Sequence, residues 1–124
     1  MLPEDLKYTK EHEWIKFEGD FILIGITDYA QGELGDIVFV ELPSVGETFS
    51  ENDTIGTIEA VKTVADIYCP VDGEVVELNT EIENSPELIN SSPYNDGWLI
   101  KLKVSPDSKK DHLLTHEQYR EIIL

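Results

Sequence analysis

Two runs rich in β-branched and apolar residues, Asp53-Thr54-Ile55-Gly56-Thr57-Ile58-Glu59 and Val64-Ala65-Asp66-Ile67-Tyr68-Cys69-Pro70, stand on either side of a single lysine, Lys62. Residues of this kind suit a pleated, half-buried surface, so the segment predicts two strands folded back on one another with Lys62 at or near the tip. No Asn-Gly or Asp-Gly pair marks the turn, so the hairpin rests on its flanks alone.

The same signal recurs along the chain. Strands are predicted over residues 8–17 and 21–26, with Glu18-Gly19-Asp20 as the turn between them, and over 36–42, 74–79 and 98–104. In the last of these Trp98, Ile100, Leu102 and Val104 fall on one face and Lys101 and Lys103 on the other. Gly46-Glu47 and Gly73-Glu74 each open a strand-like run, which suggests two similar β-units folded together.

Helical signals are short. Thr27 can cap a turn through Gln31, with Gly32 and Gly35 at its end, and Ser85 can cap a turn that has Pro86 at its first position and Asn90 at its stop. From Asp107 the pattern turns helical, and Thr115-His116-Glu117-Gln118 has the spacing of a capping box. A C-terminal helix is expected over about 115–123, with Tyr119, Ile122 and Ile123 as its apolar stripe. About eight short strands predict a mainly β fold, a flattened barrel or sandwich of antiparallel sheets with short helical turns and a C-terminal helix. No linker or low-complexity stretch divides it, so a single domain over 1–124 is expected.

Charge removes one class of partner. With 26 carboxylates against 9 Lys and Arg the formal charge is −17, and phosphate-backbone binding needs clustered cations, so nucleic acid is not expected. No apolar run approaches the ~20 residues needed to span a bilayer, so no membrane insertion is expected. Met1-Leu2-Pro3-Glu4-Asp5-Leu6-Lys7 lacks the design of a secretory signal, which predicts a cytoplasmic protein. A lone cysteine, Cys69, can form neither an internal disulfide nor a cysteine-based metal site.

Catalytic signatures are missing: no phosphate-cradling loop, nucleophile elbow or metal-binding His pair with a third ligand is present. His112 and His116 share the i,i+4 spacing of one helix face, but without a third ligand they read as solvent-facing, and no metal is predicted. Cys69 has no neighbouring cation to lower its pKa and reads as structural. His12 and Glu13, as neighbours on a strand, would point to opposite faces, so His12 also reads as structural. Lys62 alone would be a solubilising charge.

The surroundings of Lys62 change that reading. Ile58-Glu59-Ala60-Val61-Lys62 with Asp66-Ile67-Tyr68, then Pro70-Val71 and Gly73-Glu74-Val75-Val76-Glu77, resembles the lipoyl-attachment region of the glycine cleavage system H protein family. In the same order, Thr9-Lys10-Glu11-His12-Glu13-Trp14, Gly25-Ile26-Thr27-Asp28-Tyr29-Ala30-Gln31, Leu34 through Pro43, Pro86-Glu87-Leu88-Ile89-Asn90 and Pro93 through Leu99 are similar to that family. Ala60, the Thr63-Val64-Ala65 run and Cys69 depart from its usual Ser, Ala/Ser run and Ser or Ala.

The resemblance implies a lipoyl carrier without catalytic residues of its own, with lipoate attached covalently to the ε-amine of Lys62 and Glu59 recognised by the lipoate-attaching enzyme. It implies shuttling of an aminomethyl group from a pyridoxal-phosphate glycine decarboxylase to a tetrahydrofolate-dependent aminomethyltransferase, with dihydrolipoyl dehydrogenase reoxidising the dithiol. Glu13 and Asp66 are nominated as residues of a groove that shelters the arm, and a monomer is expected. The departures around Lys62 keep open an alternative, a lipoyl carrier for lipoate relay or sulfur oxidation; an enzyme using Cys69 or a histidine is the other contender. Biotin carriers typically flank their lysine with methionines, whereas Val61 and Thr63 flank this one.

Overall fold

The computed structural model describes residues 2–124. In chain order the described residues form β1 (Lys7–Tyr8), β2 (Glu13–Glu18), β3 (Phe21–Ile26), α1 (Asp28–Leu34), β4 (Ile37–Glu41), β5 (Thr48–Phe49) and β6 (Thr54–Ala60). There follow β7 (Val64–Tyr68), β8 (Gly73–Leu78), α2 (Glu81–Asn84), α3 (Leu88–Ser91), β9 (Ile100–Val104) and α4 (His116–Ile123). The strands build a six-stranded sheet, β1-β2-β3-β9-β8-β5, and a three-stranded sheet, β4-β6-β7, with every pairing antiparallel.

The two sheets share one core. Ile15, Ile22, Ile24, Val75, Ile100 and Leu102 of the larger sheet pack with Ile37, Val40, Ile55, Ile58 and Ile67 of the smaller, all nearly free of solvent. This is the antiparallel sandwich expected of alternating strands that each bury one face. A second cluster lies on the outer face of the larger sheet, where Leu6, Tyr8 and Trp14 meet Tyr119 of α4. Successive residues of β2 therefore serve both clusters: Ile15 points into the sandwich and Trp14 toward α4. Trp14 fits because its register partner is Gly25, where any Cβ would strike the indole ring.

The C-terminal helix begins as its capping box predicts, with Thr115 accepting from the Gln118 amide and the Gln118 side chain accepting from the Thr115 amide. Its apolar stripe is narrower than expected. Tyr119 is buried and Ile123 packs on the same cluster, but Ile122 is largely exposed.

Other expectations need correction. Residues 107–114 are not helical but run through turns, pinned where Tyr8 and Leu114 exchange backbone hydrogen bonds at 2.7 and 2.8 Å. His112 lies in that stretch and His116 opens α4, so the two never share a helix face. Gly32 is inside α1, and the helix stops at Gly35, whose φ of 83° is a left-handed conformation open to glycine. Ser85 closes α2 instead of capping the next helix, which starts two residues after Pro86 at Leu88. The last strand starts at Ile100; before it, Trp98 packs in the α4 cluster while Leu99 enters the sandwich core. The two Gly-Glu stretches meet across one ladder, with the Gly46 amide donating to the Val75 carbonyl and Thr48 registered on Glu74.

The first predicted strand is broken at residues 9–12. The Thr9 amide donates to the Glu13 carbonyl, the His12 amide to the Thr9 carbonyl, and the Thr9 hydroxyl oxygen accepts from the Glu11 and Glu13 amides. A hydroxyl that satisfies two nearby amides offers the backbone an alternative to the ladder. His12 takes up a left-handed φ of 69° at this turn.

Candidate functional site

Lys62 occupies the exposed connection between β6 and β7. The Ala60 amide donates to the Thr63 carbonyl at 2.8 Å, closing the hairpin, and the Val61 amide donates to the Asp36 carbonyl at 3.1 Å, tying the tip to the end of the α1 loop. No residue from Val61 to Thr63 has positive φ, which explains how the turn forms without the Asn-Gly or Asp-Gly pair that primed turns demand. The ε-amine therefore stands on an anchored base and projects into solvent.

Around that tip the outer face of the smaller sheet is unusually apolar for an exposed surface. Phe39, Glu59 and Val64 are registered side by side across β4, β6 and β7, with Phe39 and Val64 exposed and Val61 70% exposed at the turn. Glu59 thus stands between two exposed apolar side chains, close to Lys62 along the strand.

On the other side of β7 opens a cleft of about 260 Å³ between that strand and the β2 to α1 segment. Ile26, Ala30, Leu34, Ile58 and Ala65 form its apolar walls, and Glu11, His12, Glu13, Tyr29, Glu33 and Asp66 its polar ones. Ala65 is three residues beyond Lys62, about 10 Å along a strand at ~3.3 Å per residue. Glu13 and Asp66, nominated from the sequence, line the same cleft from opposite elements.

The two carboxylates differ in environment. Asp66 is exposed, whereas Glu13 is 2% exposed and held at both oxygens: Thr9 Oγ1 donates to Oε1 at 3.1 Å and the Tyr68 amide to Oε2 at 2.7 Å. Burial pushes the Glu13 carboxyl up to about 8, against the pull of those two hydrogen bonds and with a further push from Glu11. Burial thus shifts Glu13 toward its protonated form, and a positive charge brought into the cleft would favour the ionised one.

His12 is the residue of this cleft that sequence reasoning missed. Its Nδ1 lies 2.7 Å from the Tyr119 hydroxyl and its ring 5.0 Å from that of Tyr29. Burial lowers its pKa, opposed by Glu11 and Glu33, so the ring is neutral near pH 7. The α1 contributors Tyr29, Ala30 and Leu34 were also missed. Their signal was present in the Thr27 cap, whose hydroxyl accepts from the Ala30 amide and starts the helix directly after β3.

The remaining candidates resolve differently. Cys69 is fully buried, its thiol donates to the Val71 carbonyl at 3.0 Å, and burial raises it to about 12, so it is protonated and inert at neutral pH. His112 Nε2 donates to the Pro70 carbonyl at 2.6 Å, which commits it to a structural bond. Among the described residues no group of three or more His, Cys, Asp or Glu is arranged to hold a metal ion, and no helix is long and apolar enough to cross a membrane.

An anchored exposed amine beside an apolar cleft with a buried carboxyl matches the H-protein resemblance in the sequence, and comparison with known proteins decides the family. The glycine cleavage H-protein family model matches residues 6–124. This chain belongs to the glycine cleavage H-protein family. Curated relatives are similar over nearly all of it: the glycine cleavage system H proteins of Staphylococcus carnosus and Staphylococcus haemolyticus are 56% and 57% identical over 122 residues, covering 98% of this chain and 97% of each relative. Among solved structures, a glycine cleavage system H protein from Mycobacterium marinum superposes with a TM-score of 0.89 at 40% identity, covering 97% of both chains. Members of this family are non-catalytic, lipoate-bearing carriers that work with the other components of glycine cleavage, and that is the role of this chain.

Proposed function

We propose that Lys62 is the lipoylated residue and that the cleft between β7 and the β2 to α1 segment receives the arm it carries. The observation that supports this most directly is that the hairpin strand leaving Lys62 forms one wall of the cleft through Ala65 and Asp66. The residues present fit such a group. Lys62 offers an exposed primary amine, and the apolar walls suit an aliphatic chain. When bound, lipoate would supply a disulfide, one sulfur of which can take up and hand on a one-carbon unit bearing an amine as the S–S bond breaks and the other sulfur becomes a thiol.

Each side chain then has a task. Ile26, Ala30, Leu34 and Ile58 exclude water from the arm; Asp66 at the rim offers a carboxylate to a cationic amine, and Glu13 inside ionises in response to it. Glu59, with Phe39 and Val64, forms the face read by the lipoate-attaching enzyme. The partners are a pyridoxal-phosphate glycine decarboxylase, a tetrahydrofolate-dependent aminomethyltransferase and dihydrolipoyl dehydrogenase, each of which meets the arm at the Lys62 end of the sandwich.

Incubation with lipoate, ATP and a lipoate ligase, followed by intact-mass measurement, tests the assignment. The expected result is one lipoyl increment in the native chain and none in Lys62→Arg. An increment that persists in the variant would move the site elsewhere. Exchange of bicarbonate into glycine with a matched decarboxylase then tests the partnership, and no exchange by the lipoylated protein would favour a different lipoyl-dependent pathway.

A further inference from the structure

We infer that His12 is a positioning residue whose Nε2–H is the cleft's hydrogen-bond donor for the sulfur end of the arm, fixed in that tautomer by a chain of hydroxyls reaching back through Tyr119 of α4 to Thr27. The inference rests on the proposed seating of the arm in this cleft.

The direction of the chain follows from counting donors and acceptors. Thr27 is fully buried, and its hydroxyl oxygen already accepts from the Ala30 amide at 3.2 Å and lies 2.7 Å from the Tyr119 hydroxyl. Tyr119 is also fully buried, and its hydroxyl lies 2.7 Å from His12 Nδ1. If the Nδ1 proton pointed at Tyr119 and the Tyr119 proton at Thr27, the Thr27 hydroxyl proton would have no acceptor among the described groups. A buried donor left unsatisfied loses its hydration with nothing in return. In the opposite direction Thr27 donates to Tyr119, Tyr119 donates to Nδ1, and every buried group is satisfied. A bare Nδ1 in a neutral ring leaves the proton on Nε2.

Nε2 is then the ring nitrogen without a protein partner among the described residues, on a side chain that forms part of the cleft wall. Its chemistry complements that of the carboxylates. An N–H cannot bond a cationic amine, which is the business of Glu13 and Asp66, but it can bond the lone pairs of sulfur, weakly for a thioether or thiol and more strongly for a thiolate. The left-handed backbone of His12 supports a positional role. A conformation with φ of 69° is uncommon outside glycine, and here the turn hydrogen bonds and the Tyr119 contact both hold it. Tyr119 is itself locked by stacking on Tyr8 at 4.9 Å and 8°.

Nuclear magnetic resonance of the 15N-labelled protein near pH 7 tests this without any turnover assay. In the native chain His12 should carry its proton on Nε2 with Nδ1 bare; a proton on Nδ1 would overturn the inference. Comparing the lipoylated, reduced protein with arm-free Lys62→Arg should show Ala65 and Asp66 amide shifts and an Nε2–H exchange with water slowed at least about fivefold, the equivalent of one ordinary hydrogen bond. Shifted Ala65 and Asp66 amides with unchanged Nε2–H exchange would refute the role of His12 while leaving the arm in the cleft. No change at either place would remove the arm from the cleft and the inference with it. In Tyr119→Phe, which keeps the stacked ring and deletes the donor, the protection of Nε2–H should be lost while Ala65 and Asp66 still respond. Protection retained in that variant would show that the hydroxyl chain does not position His12.

Discussion

At the β6–β7 tip the proposed attachment atom is exposed and its supports come mainly from its own hairpin, whereas at the turn of residues 9–13 the proposed cleft groups His12 and Glu13 are half-buried and buried, and held by partners as distant as Tyr68 and Tyr119. The difference follows from what each region is proposed to do. A residue that an enzyme must modify needs access, and a hairpin closed by its own backbone bonds provides a firm base without burying the side chain. A cleft that must exclude water needs walls from several elements, and polar groups placed there must be satisfied by partners far along the chain. Stability and function are therefore separable at the tip and entangled in the cleft, and substitutions should report that split.

The largest stability effect should come from Gly25→Ala, on the outer face of the larger sheet and next in sequence to the cleft residue Ile26. The added methyl would drive into the Trp14 indole, whose Nε1 donates to the Pro93 carbonyl at 2.9 Å. Overpacking of a well-filled site costs about 1–3 kcal/mol, and this position should lie at the upper end because the ring has backbone on one side and the Tyr119 cluster on the other. Denaturant unfolding should show it as a lowered midpoint with little change in slope. An effect below about 0.5 kcal/mol would mean that Trp14 can move aside, and that the outer cluster is less rigid than its burial implies.

Glu13 comes next, and its effect depends on pH. Its carboxyl sits near 8 in the folded protein against an unperturbed 4.5, so between those values the folded chain keeps a proton that the unfolded chain has lost. Its contribution to stability is complete below about pH 4.5 and is lost progressively as pH rises toward 8, at up to about 1.4 kcal/mol per pH unit. Glu13→Gln removes the titration. The stability difference between the native chain and the variant, followed by denaturant unfolding from pH 5 to pH 8, should shift steadily in favour of the variant. A difference that does not change with pH would mean that Glu13 ionises freely and cannot respond to a cation in the cleft.

A smaller effect, about 1 kcal/mol, is expected for Thr115→Ala, because the capping box at the start of α4 satisfies two helix-end groups. It would sharpen the comparison by loosening the helix that carries Tyr119 without substituting any residue that lines the cleft. Hydrogen exchange should report increased opening of α4, with the amides of Ala60 and Val61 at the tip unaffected.

How much of this could be read in the sequence follows the same division. Strands β3, β4, β6 and β7 were legible because alternating and β-branched runs encode a local preference, and the α4 cap was legible because its four residues are contiguous. The hairpin lysine was legible for the same reason. The break at residues 9–12 was not, since Thr9 reads as a good strand residue and only its hydroxyl bonds to Glu11 and Glu13 divert the backbone. Nor was the helical reading after Asp107 correct, because the pairing of Leu114 with Tyr8 joins residues over a hundred positions apart and overrides local propensity. Glu13 and Asp66 were nominated as groove residues through family resemblance; that one is buried and the other exposed was outside the reach of any local pattern.

The smallest stability effect should come from the residue with the largest functional one. Lys62 is exposed, and no salt bridge joins it to any described residue, so Lys62→Gln removes a charge without removing a contact that holds the sandwich. Such surface substitutions usually stay within ±0.5 kcal/mol, and the unfolding midpoint should not move measurably. Lipoyl uptake by the same variant should nevertheless be lost completely, because an amide nitrogen cannot replace the nucleophilic ε-amine, while Glu13→Gln should retain uptake at the native level. Reciprocal loss in the two variants, stability without uptake in one and altered pH response with uptake in the other, would establish that attachment and shelter are carried by separate parts of the fold. A Glu13→Gln protein that cannot be lipoylated would instead mean that the attaching enzyme reads the cleft as well as the tip, and the boundary between the two regions would have to be redrawn to include the 9–13 turn.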